Sequence, residues 1–196
     1  RFRREHIITI EDPIEFIFKD AMSIIDQREI GRDAISFPEA IRSTLRQDPD
    51  VILIGELRDS DSMQTAMTLA ETGHLVMASL HTNDAAQTVE RVIDIFPAAQ
   101  QTQVRSQLAA TLSGVVTQRL LPSTGGGRVP AVGIMVASTA IRNAIREGNT
   151  HLIEGIIQTS SSIGMQTFES SIRVLVAAGV VKIEDARMYL TPEKRD

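Results

Sequence analysis

The sequence predicts an α/β fold built on a largely parallel sheet, and three observations lead there. Short apolar runs alternate with segments of helical periodicity over residues 6–121, the pattern of strand–helix–strand units. The run Val51–Ile54 is continuously aliphatic, as a strand covered on both faces must be. Three runs end on titratable side chains: Glu11 with Asp12, Glu56, and His81. An ionised group is costly inside a buried strand, so these belong at strand ends, where such a sheet opens to solvent or ligand.

Taken in order, Ile7–Ile10 reads as the first strand, stopped by Pro13, which has no ladder donor. Ile14–Phe18 reads as a short extended segment and Met22–Gln27 as a second strand, followed by the polar loop Arg28–Asp33. Phe37–Gln47 has the marks of a helix. Ser36 is placed to cap it, Pro38 and Glu39 suit its first turn, and Phe37, Ile41 and Leu45 recur at four-residue spacing. Asp48-Pro-Asp50 turns the chain into the Val51 strand. Ser60 or Asp61 is expected to cap the next helix, whose buried stripe is Met63, Ala66, Met67 and Ala70. Thr72-Gly73 closes it. His74–His81 reads as another buried strand, then Ala85–Phe96 as a helix, and Pro97 opens a further one through Val104, Leu108 and Leu112. Strands near Val115–Leu121 and Pro130–Val136 flank the hairpin-like loop Ser123–Arg128. Short helices at Thr139–Arg146, Leu152–Gln158, Phe168–Ala178 and Glu184–Tyr189 complete the reading, and the charged tail Thr191–Asp196 is expected to be loose.

Composition narrows the function classes. A net charge of −5 argues against a general nucleic-acid surface. The absence of cysteine excludes disulfides and cysteine-based zinc sites and fits a cytosolic location. No apolar run approaches the roughly 18–20 residues that span a bilayer. The chain opens at Arg1 close to a strand, which suggests a fragment or a processed chain. Its 17 arginines against three lysines favour interfaces and bidentate pairing. Arg28, Arg32, Arg42, Arg46 and Arg58 lie near the acidic strand ends in sequence. Most are expected in ion pairs with Glu29, Asp33 and Asp50, and one or two as arginine fingers acting on a neighbouring subunit.

If the strands are parallel neighbours, Glu11, Asp12, Glu56 and His81 project from one rim. A single polar strand end means only that loops are polar, whereas three converging ends point to a site. A carboxylate there can orient and deprotonate a water. A histidine on the adjacent strand can bond a phosphate oxygen or the same water, and Asp12 with Glu56 suits Mg2+, a hard ion that tolerates water-mediated contact. His74 stands apart, because seven extended residues span about 23 Å and put it at the opposite end of its strand from His81. It is expected either to bond a local carbonyl or to contact a neighbouring subunit.

Three ordered segments carry a family resemblance. Thr9-Ile-Glu-Asp-Pro-Ile-Glu15 resembles the Asp box of the secretion ATPase superfamily, Arg46-Gln-Asp-Pro-Asp-Val-Ile-Leu-Ile-Gly-Glu-Leu-Arg-Asp59 its Walker B segment, and Thr72-Gly-His-Leu-Val-Met-Ala-Ser-Leu-His-Thr82 its His box. Within it the chain is similar to the retraction ATPases of type IV pili, the PilT-like group. It lacks the four-cysteine zinc element of assembly relatives, and Arg91–Pro97, Gly125–Val129, Gly164–Thr167 and Ala140-Ile-Arg-Asn-Ala-Ile-Arg-Glu147 match retraction-type segments. The resemblance implies a RecA-like core over residues 1–137 and a small C-terminal helical subdomain over 138–196. It implies a homo-hexameric ring hydrolysing MgATP at subunit boundaries to drive pilus retraction. That ring works at the cytoplasmic face of the inner membrane, against a pilus platform protein and without nucleic acid or zinc.

By position, the resemblance makes Glu56 and Glu11 catalytic carboxylates and His81 and His74 sensors of phosphate or interface. Arg28, Arg32, Arg42 and Arg58 are inter-subunit candidates. The segment Ala140, Ile141, Arg142, Asn143, Ile145, Arg146 and Glu147 becomes a retraction-coupling motif, with Ile141 and Ile145 expected inward and Arg142 and Arg146 outward. The family's P-loop, G-x-x-x-x-G-K-[ST], does not occur, and Gly125-Gly-Gly127 lacks its lysine and helix start. The first strand and P-loop are therefore expected upstream, as is an amino-terminal PAS-like domain. The chain alone is expected not to hydrolyse ATP, whereas its parent does. Other readings stay open: an assembly or secretion ATPase, a non-hydrolysing interaction domain, or a metal-dependent hydrolase using His74, His81, Asp12 and Glu56.

Overall fold

Strands β1 (His6–Glu11), β2 (Ile24–Glu29), β3 (Val51–Ile54) and β4 (Leu75–Ala78) form one parallel sheet in the order β2-β1-β3-β4. The computed structural model describes residues 3–190, so the charged tail expected over Thr191–Asp196 lies outside the described residues. The register sets Ile10 beside Arg28 and Ile54, and Ile54 beside Ala78, so all four carboxyl ends share a rim. In the central strands Ile8, Ile10, Ile52 and Ile54 are at most 1% exposed. Burying each such side chain contributes about 1.5–3 kcal/mol, against about 0–1 kcal/mol for an exposed ion pair. Aliphatic burial therefore holds the sheet, and the charged rim is left to chemistry.

The crossovers are helical. Helix α1 (Phe37–Thr44) is capped by Ser36, whose Oγ accepts from Glu39 N–H at 3.4 Å. It stops short of the expected Gln47, because the chain unwinds into Asp48, held at φ 53° ahead of Pro49. Leu45 is consequently 45% exposed and leaves the buried stripe, while Ile41 stays fully buried. Helix α2 (Ser60–Glu71) is capped by Asp59, one residue before the expected Ser60 or Asp61. Asp59 accepts from both the N–H and the hydroxyl of Ser62, each at 2.8 Å, which explains why the earlier position wins.

Two strands differ from expectation. β2 runs through Arg28 and Glu29, expected as loop, because its ladder with β1 continues to the Glu11–Glu29 pair. β4 is a partly exposed edge rather than a buried strand, with Leu75 and Met77 each 44% exposed, since β3 is its one partner among the described residues. Ile14–Phe18 forms no strand, and the Phe18 N–H goes to Gln27 Oε1 at 2.7 Å instead of to a ladder.

Two compact units divide the chain, Arg1–His81 and Thr82–Asp196. The second holds α3 (Ala85–Asp94), α4 (Ala98–Thr111), α5 (Thr139–Glu147), α6 (Ile153–Thr159), α7 (Phe168–Ala177) and the short α8 (Ile183–Ala186). Its strands β5 (Gly114–Pro122) and β6 (Arg128–Val136) make an antiparallel hairpin separate from the parallel sheet. Leu121 and Ala131 of the hairpin pack with Ile172, Val181 and Ala186. Arg119 lies over the rings of Phe168 and Tyr189, at 5.4 and 5.2 Å from their centroids. Packing thus joins the hairpin to the helices that follow it.

At the amino-end rim of the sheet, His6 ties three elements together. Its N–H donates to Asp50 Oδ2 at 2.8 Å, Nε2 lies 2.9 Å from Asp26 Oδ2, and Nδ1 lies 3.2 Å from the Gln47 carbonyl. Both ring nitrogens face acceptors, an arrangement that the imidazolium alone satisfies. The bond to Asp26, foremost, raises the ring pKa above its usual 6.5, with burial opposing. A raised folded pKa means that the stabilisation is complete below about 6.5 and is lost as pH rises through the folded value. Thermal melts should therefore show stability falling as pH climbs above 6.5, and His6→Asn should flatten that dependence. An unchanged slope in the variant would remove His6 as its source.

Candidate functional site

The carboxyl rim begins with a close approach between β1 and β3. Gly55 N–H donates to the Ile10 carbonyl at 2.7 Å. A Cβ at Gly55 would stand 3.1 Å from that oxygen and 3.3 Å from Glu11 Cα, so a side chain before Glu56 would require β1 to give by a few tenths of an ångström. Across the other flank, Leu57 N–H donates to the Ser79 carbonyl at 3.2 Å, and the Ser79 hydroxyl donates to the Gly55 carbonyl. The backbone on both sides of Glu56 is thereby fixed to β1 and to the chain leaving β4.

Glu56 is engaged through both oxygens. Oε2 lies 2.5 Å from Arg58 Nη2 and Oε1 lies 3.1 Å from His81 Nε2. The Glu56 side chain is 20% exposed, while those of Arg58 and His81 are 67% and 84% exposed. Arg58, first through its hydrogen bond, holds the Glu56 carboxyl below the usual range, with His81 adding to the effect and desolvation opposing it. Glu56 in turn raises the Arg58 guanidinium, and Asp12 adds a further charge interaction. Glu56 is thus an ionised acceptor steadied by two exposed arms.

Glu11 is held differently. Thr9 Oγ1 donates to its Oε1 at 2.6 Å, and Gln27 Nε2 donates to the same oxygen at 3.0 Å. Thr9 and Gln27 are register partners on β1 and β2. The sequence reading did not single out Thr9, Gln27, Gly55 or Ser79. Strand alternation would have found Thr9, since residues two apart share a face; Gln27 and Ser79 depend on register, which one sequence does not display.

The structure brings Glu56, Arg58 and His81 together, with Asp12 close enough to act on Arg58 and Glu11 beside Gly55. It leaves His74 at the other end of β4, where Nδ1 meets the Leu69 carbonyl and Thr72 Oγ1, each at 3.0 Å. The ion pairs expected for Arg28, Arg32, Arg42 and Arg46 with Glu29, Asp33 and Asp50 do not form among the described residues. Arg28 instead donates to Ser43 Oγ at 3.2 Å and to Gln47 Oε1, and Arg42 donates to the Pro38 carbonyl at 3.1 Å. Arg32 is exposed. No three His, Asp or Glu side chains converge as a ready metal cage among the described residues.

Helix α5 carries the segment Ala140–Glu147. Ser138 caps it through the Ile141 N–H, and Ile141 and Ile145 are buried as expected, with Ala144 buried beside them. Ala140, Asn143, Arg146 and Glu147 are exposed. Arg146 donates to Asn143 Oδ1 at 2.9 Å. Arg142, expected outward, is drawn inward, because its Nη1 donates to the carbonyls of Ala109 and, at 2.8 Å, Ala110 at the end of α4. Those carbonyls have no helical partner of their own, and a guanidinium satisfies them better than water does.

The sequence model of the family described as Type II/IV secretion system protein matches residues 1–187. The chain is 50% identical over 182 residues to the type IV pilus retractation ATPase PilT of Pseudomonas aeruginosa, an alignment covering 93% of this chain and 53% of that protein. It is 48% identical over 183 residues to a twitching motility protein of Neisseria gonorrhoeae, covering 93% and 49%. Among solved structures it is similar to that of the pilus retraction motor PilT with bound ADP, at a TM-score of 0.86 and 48% identity, covering 98% of this chain and 54% of that one. The chain spans about half the length of the curated relatives it matches.

The close approach at Gly55 yields a test. Gly55→Ala should lower thermal stability by about 1–3 kcal/mol through overpacking against β1, read by thermal or denaturant unfolding. A variant as stable as the parent would show that the β1–β3 spacing can yield.

Proposed function

This chain belongs to the Type II/IV secretion system protein family, and on that premise we propose that it is part of a hexameric ATPase motor that drives type IV pilus retraction. The observation that carries the reading is Glu56, an ionised carboxylate fixed at the rim and held by Arg58 and His81. Residues 1–137 serve as part of its RecA-like core and residues 138–196 as its helical subdomain. The motor acts at the cytoplasmic face of the inner membrane, against a membrane-embedded platform protein.

Glu56 orients the attacking water and accepts its proton as the water oxygen bonds to the γ-phosphorus and the bridging P–O bond to the leaving ADP breaks, the role of a rim carboxylate in general-base catalysis. Its lowered pKa keeps it ionised, and makes it a weaker base for as long as Arg58 holds it. Each of its oxygens has a further lone pair for the water, and the exposed Arg58 and His81 arms strengthen the base by turning toward phosphate oxygens. Glu11, tethered by Thr9 and Gln27, supplies a second fixed negative charge on the same rim. Asp12 and Glu56 fit Mg2+ as oxygen donors acting through its water shell. Held there, such an ion would supply neutralisation of phosphate charge.

The residues here fit the carboxylate side of such a site and do not fit its phosphate cradle, since the sequence holds no G-x-x-x-x-G-K-[ST]. ATP turnover therefore belongs to a protein that joins these residues to a P-loop. His74 keeps a role at the far rim, as an interface contact. Arg32 and Arg58 are the arginines best placed to reach a neighbouring subunit, being exposed and on the rim side of the sheet.

In the full-length motor, Glu56→Gln should lower ATP turnover by about 10²–10⁴-fold with nucleotide affinity retained, measured by steady-state phosphate release and nucleotide titration. The 196-residue chain alone should release phosphate at the background rate. Full turnover by the Gln variant would dismiss Glu56 as the base.

A further inference from the structure

The motif helix α5 lies antiparallel to α4, and each helix sends an arginine to the end of the other. Arg142 of α5 donates to the Ala109 and Ala110 carbonyls in the last turn of α4. Arg105 of α4 reaches the end of α5, where its guanidinium carbon stands 3.7 Å from the position a Cβ at Gly148 would take. Its Nη1 is fully buried and donates no hydrogen bond. The guanidinium therefore sits against the negative end of the α5 dipole, where a cation is favoured even without a partnered oxygen. Gly148, at φ 77°, a conformation that favours glycine, caps α5 through N–H contacts to Ala144 and Ile145, and the Arg105 guanidinium packs at van der Waals distance beside it. Just beyond, the buried Thr150 donates to Glu90 Oε1 of α3 at 2.7 Å, so the far end of α5 is also pinned to a third helix.

We propose that Arg142 and Arg105 form a reciprocal latch that makes α4 and α5 move as one body. Arg142 then serves the coupling motif as a positioning residue, acting through α4 and not by touching what α5 moves. This deepens the assignment of α5 to retraction coupling and rests on that reading. At Arg142 the latch uses a rigid planar group that donates to two carbonyls at once, which lysine's single flexible ammonium does not match.

The test uses the full-length motor with Arg142→Ala, Arg105→Ala, the double variant and Arg142→Lys. Hydrogen exchange is read over residues 109–112 and 145–149, alongside ATP kcat and KM and the speed of pilus retraction. A latch predicts that either single substitution speeds exchange at both helix ends by about tenfold or more. The double variant should be no worse than the more severe single one, and Arg142→Lys, which keeps a donor, should restore part of the protection. Retraction should slow while kcat and KM for ATP stay within about twofold of the parent. Exchange that rises at one end alone, or effects that add, would overturn the latch. Loosened ends with undiminished retraction would overturn its role in coupling. Failure of the motor reading shows separately, as absent ATP-driven retraction in the unsubstituted protein, and exchange then still decides whether α4 and α5 are latched.

Discussion

Shared strand direction is the constraint on which the first unit depends. Because β1, β2, β3 and β4 all run parallel, every amino end lies on one rim and every carboxyl end on the other. The amino rim is tied by backbone and side-chain bonds around His6 and Asp50. The carboxyl rim gathers Glu11, Glu56 and the chain leading to His81. The His6 ties and the Glu11–Glu56 carboxylates are thus sorted to opposite rims by topology, and the aliphatic middle separates them.

Sequence legibility followed burial. β1 and β3 were readable because a strand covered on both faces must be aliphatic, and Ile8, Ile10, Ile52 and Ile54 are. The inward face of α5 was readable for the same reason, through Ile141 and Ile145. β2 was misjudged because an edge strand of mixed polarity, Ile-Ile-Asp-Gln-Arg-Glu, carries no burial pattern to mark its end. The cap of α2 was placed one residue late because Asp59, Ser60 and Asp61 are all good caps, and the choice is made by the Ser62 bonds. At the site, the convergence of Glu56 and His81 could be anticipated from strand ends. The engagement of Arg58 with Glu56, and of Thr9 and Gln27 with Glu11, needed register and rotamers.

The excess of arginine takes a different meaning in three dimensions. Ion pairs were the expectation, yet several guanidinium groups bond to neutral oxygens. Arg28 meets Ser43 and Gln47, Arg42 a helical carbonyl, Arg119 Asn83 and two rings, and Arg142 two orphan carbonyls of α4. These bonds use a planar group with several donors, which an ammonium does not offer. Composition announced a preference for arginine without announcing what it would bond.

The two glutamates of the rim differ in how they are held. Thr9 and Gln27 both spend their hydrogen bonds on Oε1 of Glu11, so that carboxylate keeps its bearing while Oε2 takes neither bond. Glu56 has one arm on each oxygen. Glu11 is thus oriented by neutral donors and Glu56 by two exposed cationic or polar arms. Salt weakens the second kind of hold and leaves the first almost untouched, so ionic strength reaches the bearing of one acid and not of the other.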